Sequence, residues 1–179
     1  MAEMVEKSRA PEKLGVERIE FGATLAELDD AIESLTNPEQ IVRDRCIYII
    51  TLDRDVDLSA FKEAFFEAQS RDNLKLPQDN HDIGPVLYVG SSYATGARKR
   101  TLRSRLRQHL IKAPKGTYAL SLSEWTSHLS GAFFVQAWQF PSRGDGPEGD
   151  DVARNTVLAV EDWLSGELKP MLGRRGSRR

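Results

Sequence analysis

The chain reads as a single α/β domain of the α+β kind: a small central, mainly antiparallel three-stranded sheet flanked by helices, with an N-terminal helical extension and a helical insertion between the first two strands. Three observations predict this. Cys46-Ile-Tyr-Ile-Ile-Thr-Leu52, Val86-Leu-Tyr-Val-Gly90 and a stretch within Ala132 to Phe140 have the β-branched and aromatic composition of strands. The segments between them place apolar residues at helical spacing. A length of 179 residues, 40% hydrophobic and 29% charged, suits one core with an appended segment.

In chain order, residues 1–15 lack periodicity and read as loose. Thr24-Leu-Ala-Glu27 is a capping box that opens a helix with Leu25, Leu28, Ile32 and Leu35 on one stripe; Asn37-Pro38 stops it and is suited to begin one further turn. Asp57 caps a second helix over Leu58 to about Gln69, with Leu58, Phe61, Phe65 and Ala68 inward. Ser70 to Asp82 is polar and reads as a loop. Gly90 is suited to a tight turn after the second strand, and a helix at roughly 98–112 turns Leu102, Leu106 and Leu110 to the core. After a mixed segment, Tyr118 to Leu129, and the third strand, a Gly/Pro/Asp loop leads into a helix at roughly 151–168, ended by Pro170. The resulting divisions are an extension over 1–40, a main domain over 41–173 with its insertion at about 53–84, and a basic tail over 174–179.

No apolar run approaches the roughly 20 residues that span a bilayer, and the N-terminus has no signal-peptide pattern, so a cytoplasmic protein is expected. The lone Cys46 forms no internal disulfide and reads as a small buried side chain. A net charge of -2 argues against nucleic-acid coating by the overall field. The distribution is uneven, however. Residues 1–39 carry ten acids and four bases, whereas Gly84 to Ser123 carry eight bases and no acid. A basic face opposite an acidic segment suits a phosphate backbone, although a solvated surface is the commoner origin of any single charge run.

Two helical features stand out chemically. Glu161 lies four residues after Val157 and three before Leu164, on a stripe completed by Leu168. A carboxylate on an apolar face is paired, protonated or metal-bound; the alternative is a slightly different helix register with Glu161 at the boundary. Arg105 and His109, four apart, share a face beside the leucine stripe, an arrangement that on most helices is simply solvated. His81 and His128 read as ordinary surface residues, and Trp125, Trp138 and Trp163 as core.

Four ordered elements, Cys46-Ile47-Tyr48, Tyr88-Val89-Gly90-Ser91-Ser92, Leu102-Arg103-Ser104-Arg105-Leu106-Arg107-Gln108-His109, and Glu161-Asp-Trp-Leu164 followed by Lys169-Pro170, resemble the GIY-YIG nuclease family over Cys46 to Gly173. Three departures accompany the resemblance. Cys46 stands where the family has its first glycine, 39 residues separate the two tyrosines where the family has a short hairpin, and Gly173 stands where it often has asparagine.

The resemblance implies a GIY-YIG-like fold and a Mg²⁺-dependent endonuclease that hydrolyses DNA phosphodiester bonds, with Mn²⁺ as an alternative ion and RNA as an alternative substrate. Glu161 would hold the metal, which needs few protein ligands. Arg105 would clamp the scissile phosphate. Tyr48 and Tyr88 would orient and deprotonate the attacking water, and His109 would accept the tyrosine proton or bind phosphate. A free tyrosine ionises at about pH 10, so alkaline activity is expected. Ser91, Arg98, Lys99, Arg100, Arg103 and Lys112 form the expected nucleic-acid-contacting set. The competing readings are an inactive nucleic-acid-binding module on the same fold and an RNA-directed or assembly role built on the tail and the helix over 24–35.

Overall fold

The computed structural model describes residues 10–36, 45–95, 98–140 and 147–173. Among them the fold is α+β, as the sequence predicts, but the antiparallel sheet has four long strands and one short one instead of three. The strands are β1 (Glu12–Glu20), β2 (Arg45–Leu52), β3 (Val86–Thr95), β4 (Arg98–Arg100) and β5 (Ala132–Gln139), in the order β1-β5-β2-β3-β4. The helices are α1 (Leu25–Leu35), α2 (Leu58–Gln69), α3 (Leu102–Leu110) and α4 (Pro147–Leu168), with a 3₁₀ turn at Leu122–Glu124.

β1 corrects the expectation of a loose segment over residues 1–15 from Glu12 onward; residues 1–9 lie outside the described residues. From Glu12 onward the chain pairs with β5, with a register shift between Lys13 and Gly15. Its pattern is hard to read because an edge strand needs few apolar residues: Ile19 is its one buried position, and charged neighbours protect the open edge. β1 and α1 therefore belong to the domain they precede, since Leu28, Ile32 and Leu35 join Ile19 in the main core. The predicted capping box is present, with Thr24 and Glu27 bonded in both directions. Asn37-Pro38 and the basic tail over 174–179 lie outside the described residues.

β3 continues straight through Gly90 to Thr95, so the expected tight turn at Gly90 is absent. Gly90 serves packing instead: a Cβ there would overlap the Tyr48 hydroxyl and lie 2.8 Å from Tyr88 Cε1. Arg98–Arg100, expected as the start of a helix, turns back as β4 against the end of β3, and the helix begins only after Thr101, whose side chain accepts from the Ser104 amide.

Side chains alternate across β2 and β3. Cys46, Tyr48 and Ile50 join the main core with Leu87, Val135 and Ala137, capped by Phe61, Phe65, Leu102, Leu106 and Trp125 from the helices and the 3₁₀ turn. Phe61 and Phe65 pack on Trp125 at centroid distances of 5.2 and 5.9 Å. Ile47, Val89 and Tyr93 occupy the alternate positions and are buried outside that cluster, where α4 runs along β3 and β2 with Val157 buried.

The segment between α2 and β3 is tied into the domain. Asp79, 9% exposed, takes Lys62 Nζ at 2.6 Å and bridges to Leu172, while Asn80 Nδ2 donates to the Pro170 carbonyl at 2.9 Å. The turn after α4 is thus stitched between β3 and this segment, with Met171 and Leu172 amides donating to the Val86 and Leu87 carbonyls.

Of the tryptophans expected in the core, Trp125 is buried, but Trp163 is 63% exposed. The inward stripe of α4 runs through Val157, Glu161 and Ser165, and Trp163 lies on the other side of the helix. α4 itself starts at Pro147, a turn earlier than its sequence pattern indicates, because Pro suits the first helical position.

Candidate functional site

Tyr48 and Tyr88 stand on adjacent strands, diagonal to one another in a register that pairs Tyr48 with Gly90 and Ile50 with Tyr88. Their rings stack with centroids 6.3 Å apart. α3 carries Arg105 and His109 to them on successive turns. The His109 ring lies 4.4 Å from that of Tyr88 and 5.6 Å from that of Tyr48. Four residues from three elements, between 48 and 109 in the sequence, thereby form one cluster.

Arg105 is half-buried and held by its own helix: Nη1 donates to Gln108 Oε1 at 2.7 Å, and Nη2 lies 3.3 Å from His109 Nε2. Burial works against its charge, but Tyr48, Tyr88 and Glu161 outweigh that and raise its pKa. Its guanidinium is a permanent cation at the edge of the cluster.

His109 is fully buried, and burial first, then the Arg105 charge, drive its pKa well below the ordinary value, so the ring is neutral at pH 7. The Leu120 amide donates to Nδ1 at 3.3 Å. A neutral ring in that bond carries its proton on Nε2; the tautomer that would accept from Arg105 gives up the Leu120 bond. A buried neutral imidazole offers a phosphate a hydrogen bond and not a charge.

Tyr48 is fully buried, and its hydroxyl has no hydrogen-bond partner of normal geometry. Burial drives its pKa far up, and Tyr88 and Glu161 add to the rise against the pull of Arg105. Arg105 favours ionisation of a nearby tyrosine, but at Tyr48 desolvation wins. Buried carboxylates, tyrosines and cysteines all respond to burial in this direction.

Glu161 comes from the inward stripe of α4, as the sequence anomaly indicates, and accepts from Ser91 Oγ at 2.5 Å. It is near enough to act on the ionisation of both Tyr48 and Arg105. Ser91, expected to touch nucleic acid, is thereby a partner of the carboxylate. Among the described residues no group of three His, Cys, Asp or Glu side chains is arranged to hold a metal ion.

The rest of the expected contact set behaves differently. Arg103 pairs with Glu33 and Arg107 with Asp29, both acids on α1, and Lys112 pairs with Glu124 at 2.9 Å. Arg103 and Arg107 flank the leucine stripe of α3 on the side away from Arg105, so the acidic N-terminal segment neutralises part of the basic run directly. Arg98, Lys99 and Arg100 form the edge strand β4 beside β3. Gly173, with φ 116°, has no side chain where one would crowd the Tyr88 ring; a Cβ there would stand 3.1 Å from Tyr88 Cε2.

Sequence reasoning misses two participants. Gln108 fixes Arg105, and Arg154, seven residues before Glu161 on α4, stacks on Tyr93 of β3 with its guanidinium 5.3 Å from the ring centroid. The first carries no signal beyond its spacing; the second is legible only once Glu161 sets the register of the helix.

No family model, curated protein or solved structure matches the chain. No helix among the described residues is long and apolar enough to cross a membrane.

Proposed function

We propose that this protein is a metal-dependent endonuclease of the GIY-YIG kind, hydrolysing phosphodiester bonds of DNA. The observation that carries the reading is the convergence of Tyr48, Tyr88, Arg105 and His109 from three elements, with Glu161 in electrostatic reach of two of them. A packing cluster has no need of a fixed cation beside two tyrosines with a carboxylate in electrostatic reach of one of them.

The donor chemistry suits Mg²⁺: the Glu161 carboxylate and Ser91 Oγ are adjacent hard oxygens, and this ion keeps most of its waters and accepts few protein ligands. When bound, the ion supplies charge neutralisation at the phosphate and stabilises the departing oxygen. The protein's own groups do the remainder. Arg105, held by Gln108, offers its guanidinium to the non-bridging oxygens, where developing charge makes the contact stronger than in the ground state. The attacking water forms its bond to phosphorus as the bond to the 3′-oxygen breaks; its proton passes to the phenolate form of Tyr88, the more exposed of the two tyrosines, which alkaline pH populates, and the 3′-oxygen takes its proton from solvent. Tyr48, held protonated by burial, orients and does not deprotonate. His109 holds the Tyr88 ring in place through ring contact.

The alternative is a binding module without turnover. It draws on Gly173, which offers no side chain beside Tyr88. The test is incubation of plasmid and single-stranded DNA with the protein at pH 7 and pH 9, with Mg²⁺ and with chelator. Metal-dependent strand scission supports the nuclease; salt-sensitive binding with no scission at either pH favours the module.

A further inference from the structure

Tyr118 holds its ring out to solvent, 64% exposed, on a backbone that is fixed on both sides. The Thr117 amide donates to the Pro114 carbonyl at 3.0 Å, the Ala119 amide to the Lys75 carbonyl at 3.1 Å and the Leu120 amide to His109 Nδ1 at 3.3 Å. A ring this exposed gains little from burial, so the rigid frame beneath it does not serve the core. Lys75 Nζ stands 5.7 Å from the ring centroid, so an open aromatic ring and a cation occur together. The frame also places the ring close to the candidate site. Tyr118 Cα is at most about 7 Å from Leu120 Cα, two residues along the chain. The Leu120 amide is bonded to the histidine whose ring packs on Tyr88. From Lys75 the insertion runs on to Gln78, whose carbonyl accepts from the Gly173 amide at 2.9 Å, and Gly173 abuts the same Tyr88 ring. The insertion is thereby bonded to the neighbours of both His109 and Tyr88.

We propose that Tyr118, with Lys75, is a stacking platform for an unpaired base near the bond that is cut, and that the substrate is DNA with a single-stranded segment there. This deepens the nuclease reading and rests on it. A base inside a duplex has both faces covered by its neighbours, so only an unpaired or extruded base can lie on a tyrosine ring. Every base has such a face, so the platform selects unpaired structure and not sequence. The rest of the nucleotide meets the cation: with the base on the ring, the Lys75 ammonium turns on its flexible stem to the adjoining phosphate. One backbone bond, from the Ala119 amide to the Lys75 carbonyl, holds the two segments together. The clamped backbone sets the ring in place before the strand arrives, which cuts the ordering cost of stacking.

The test is equilibrium binding, with Ca²⁺ in place of Mg²⁺, of three labelled probes: a blunt DNA duplex, the same duplex with a short single-stranded gap, and the gapped duplex with the gap bases removed to leave abasic sugars. Wild type is expected to bind the gapped duplex more tightly than the blunt one and to lose about tenfold in affinity when the gap is abasic. Tyr118→Ala should bind the gapped duplex about tenfold more weakly than wild type and no longer distinguish it from the abasic probe, while Tyr118→Phe keeps both the affinity and the discrimination. Lys75→Gln should lower the slope of log affinity against log salt by about 0.7, one phosphate contact on a single strand. Gapped-duplex affinity unchanged in Tyr118→Ala, or a blunt duplex bound by wild type as tightly as the gapped one, overturns the platform and leaves the nuclease reading intact. If wild type neither binds DNA nor cuts it in Mg²⁺, that reading and the platform fall together. Melting curves accompany each variant. Should Tyr118→Ala melt early, the abasic probe on wild type decides: equal affinity for the two gapped probes overturns the proposal.

Discussion

The Tyr48 hydroxyl ends against Gly90 of the neighbouring strand, in space that a Cβ at residue 90 would occupy. The same Cβ would press on Tyr88 Cε1, so one glycine admits both rings of the candidate site. Gly90→Ala therefore has no relaxed conformation: either β3 shifts or both tyrosines do. The variant is expected to lose about 1 to 3 kcal/mol of stability, in the range of overpacked cores, and most of its cleavage activity. Urea unfolding and plasmid nicking on the same preparation check both.

Tyr48 carries a buried hydroxyl whose polar neighbour, the Arg105 guanidinium, is not in normal hydrogen-bond geometry, and a poorly satisfied buried hydroxyl costs about 1 to 3 kcal/mol in folded proteins. Tyr48→Phe removes that burden and keeps the ring. We expect it to be at least as stable as wild type by denaturant titration and markedly slower in cleavage. Greater stability with lower activity marks a residue kept for chemistry; a loss of stability would mean that the hydroxyl is satisfied in solution.

His109 and Tyr48 set opposite ends of the pH range for folding. His109 has a folded-state pKa depressed below 6.5, so the unfolded chain binds more protons as the pH drops through that value, and stability falls toward acid by up to about 1.4 kcal/mol per pH unit. Tyr48 has a folded-state pKa raised above 10, so its contribution is complete below pH 10 and is lost as the pH rises beyond it. Melting temperatures across pH 4 to 11 should show both flanks. His109→Gln should flatten the acid side and Tyr48→Phe the alkaline side; flanks unchanged in these variants would contradict the burial of the two groups.

Much of the fold is legible locally. The α1 capping box and the Asp57 cap write their helices into a few adjacent residues, and both helices occur where those residues indicate. β1 and β4 are hidden because their pairing partners supply the ordering: Glu12–Glu20 is charged along an open edge, and Arg98–Arg100 becomes a strand only because β3 runs on past Gly90. In the site, Arg105 and His109 are visible as a four-residue spacing and Glu161 as a carboxylate on an inward stripe. What stays hidden is tertiary: the desolvation that raises Tyr48, and the acids Asp29 and Glu33 that cancel Arg107 and Arg103 from more than sixty residues away.

Ser91 donates to Glu161, and a hydroxyl in that position orients a metal-holding carboxylate. Ser91→Ala is expected to raise the Mg²⁺ concentration for half-maximal cleavage about tenfold, with little change in rate at saturating metal. Metal titrations of the two proteins measure the shift. Equal titration curves would remove Ser91 from the site.

The central claim is that Glu161 and Arg105 cleave phosphodiester bonds together, and single-turnover plasmid cleavage in Mg²⁺ by wild type, Glu161→Gln and Arg105→Ala addresses it most directly. The account predicts scission by wild type and a fall of at least about a hundredfold in each variant, consistent with removing one group that stabilises transition-state charge, while far-ultraviolet dichroism and melting remain those of folded protein. Cleavage that persists in folded Glu161→Gln at the wild-type rate would contradict it.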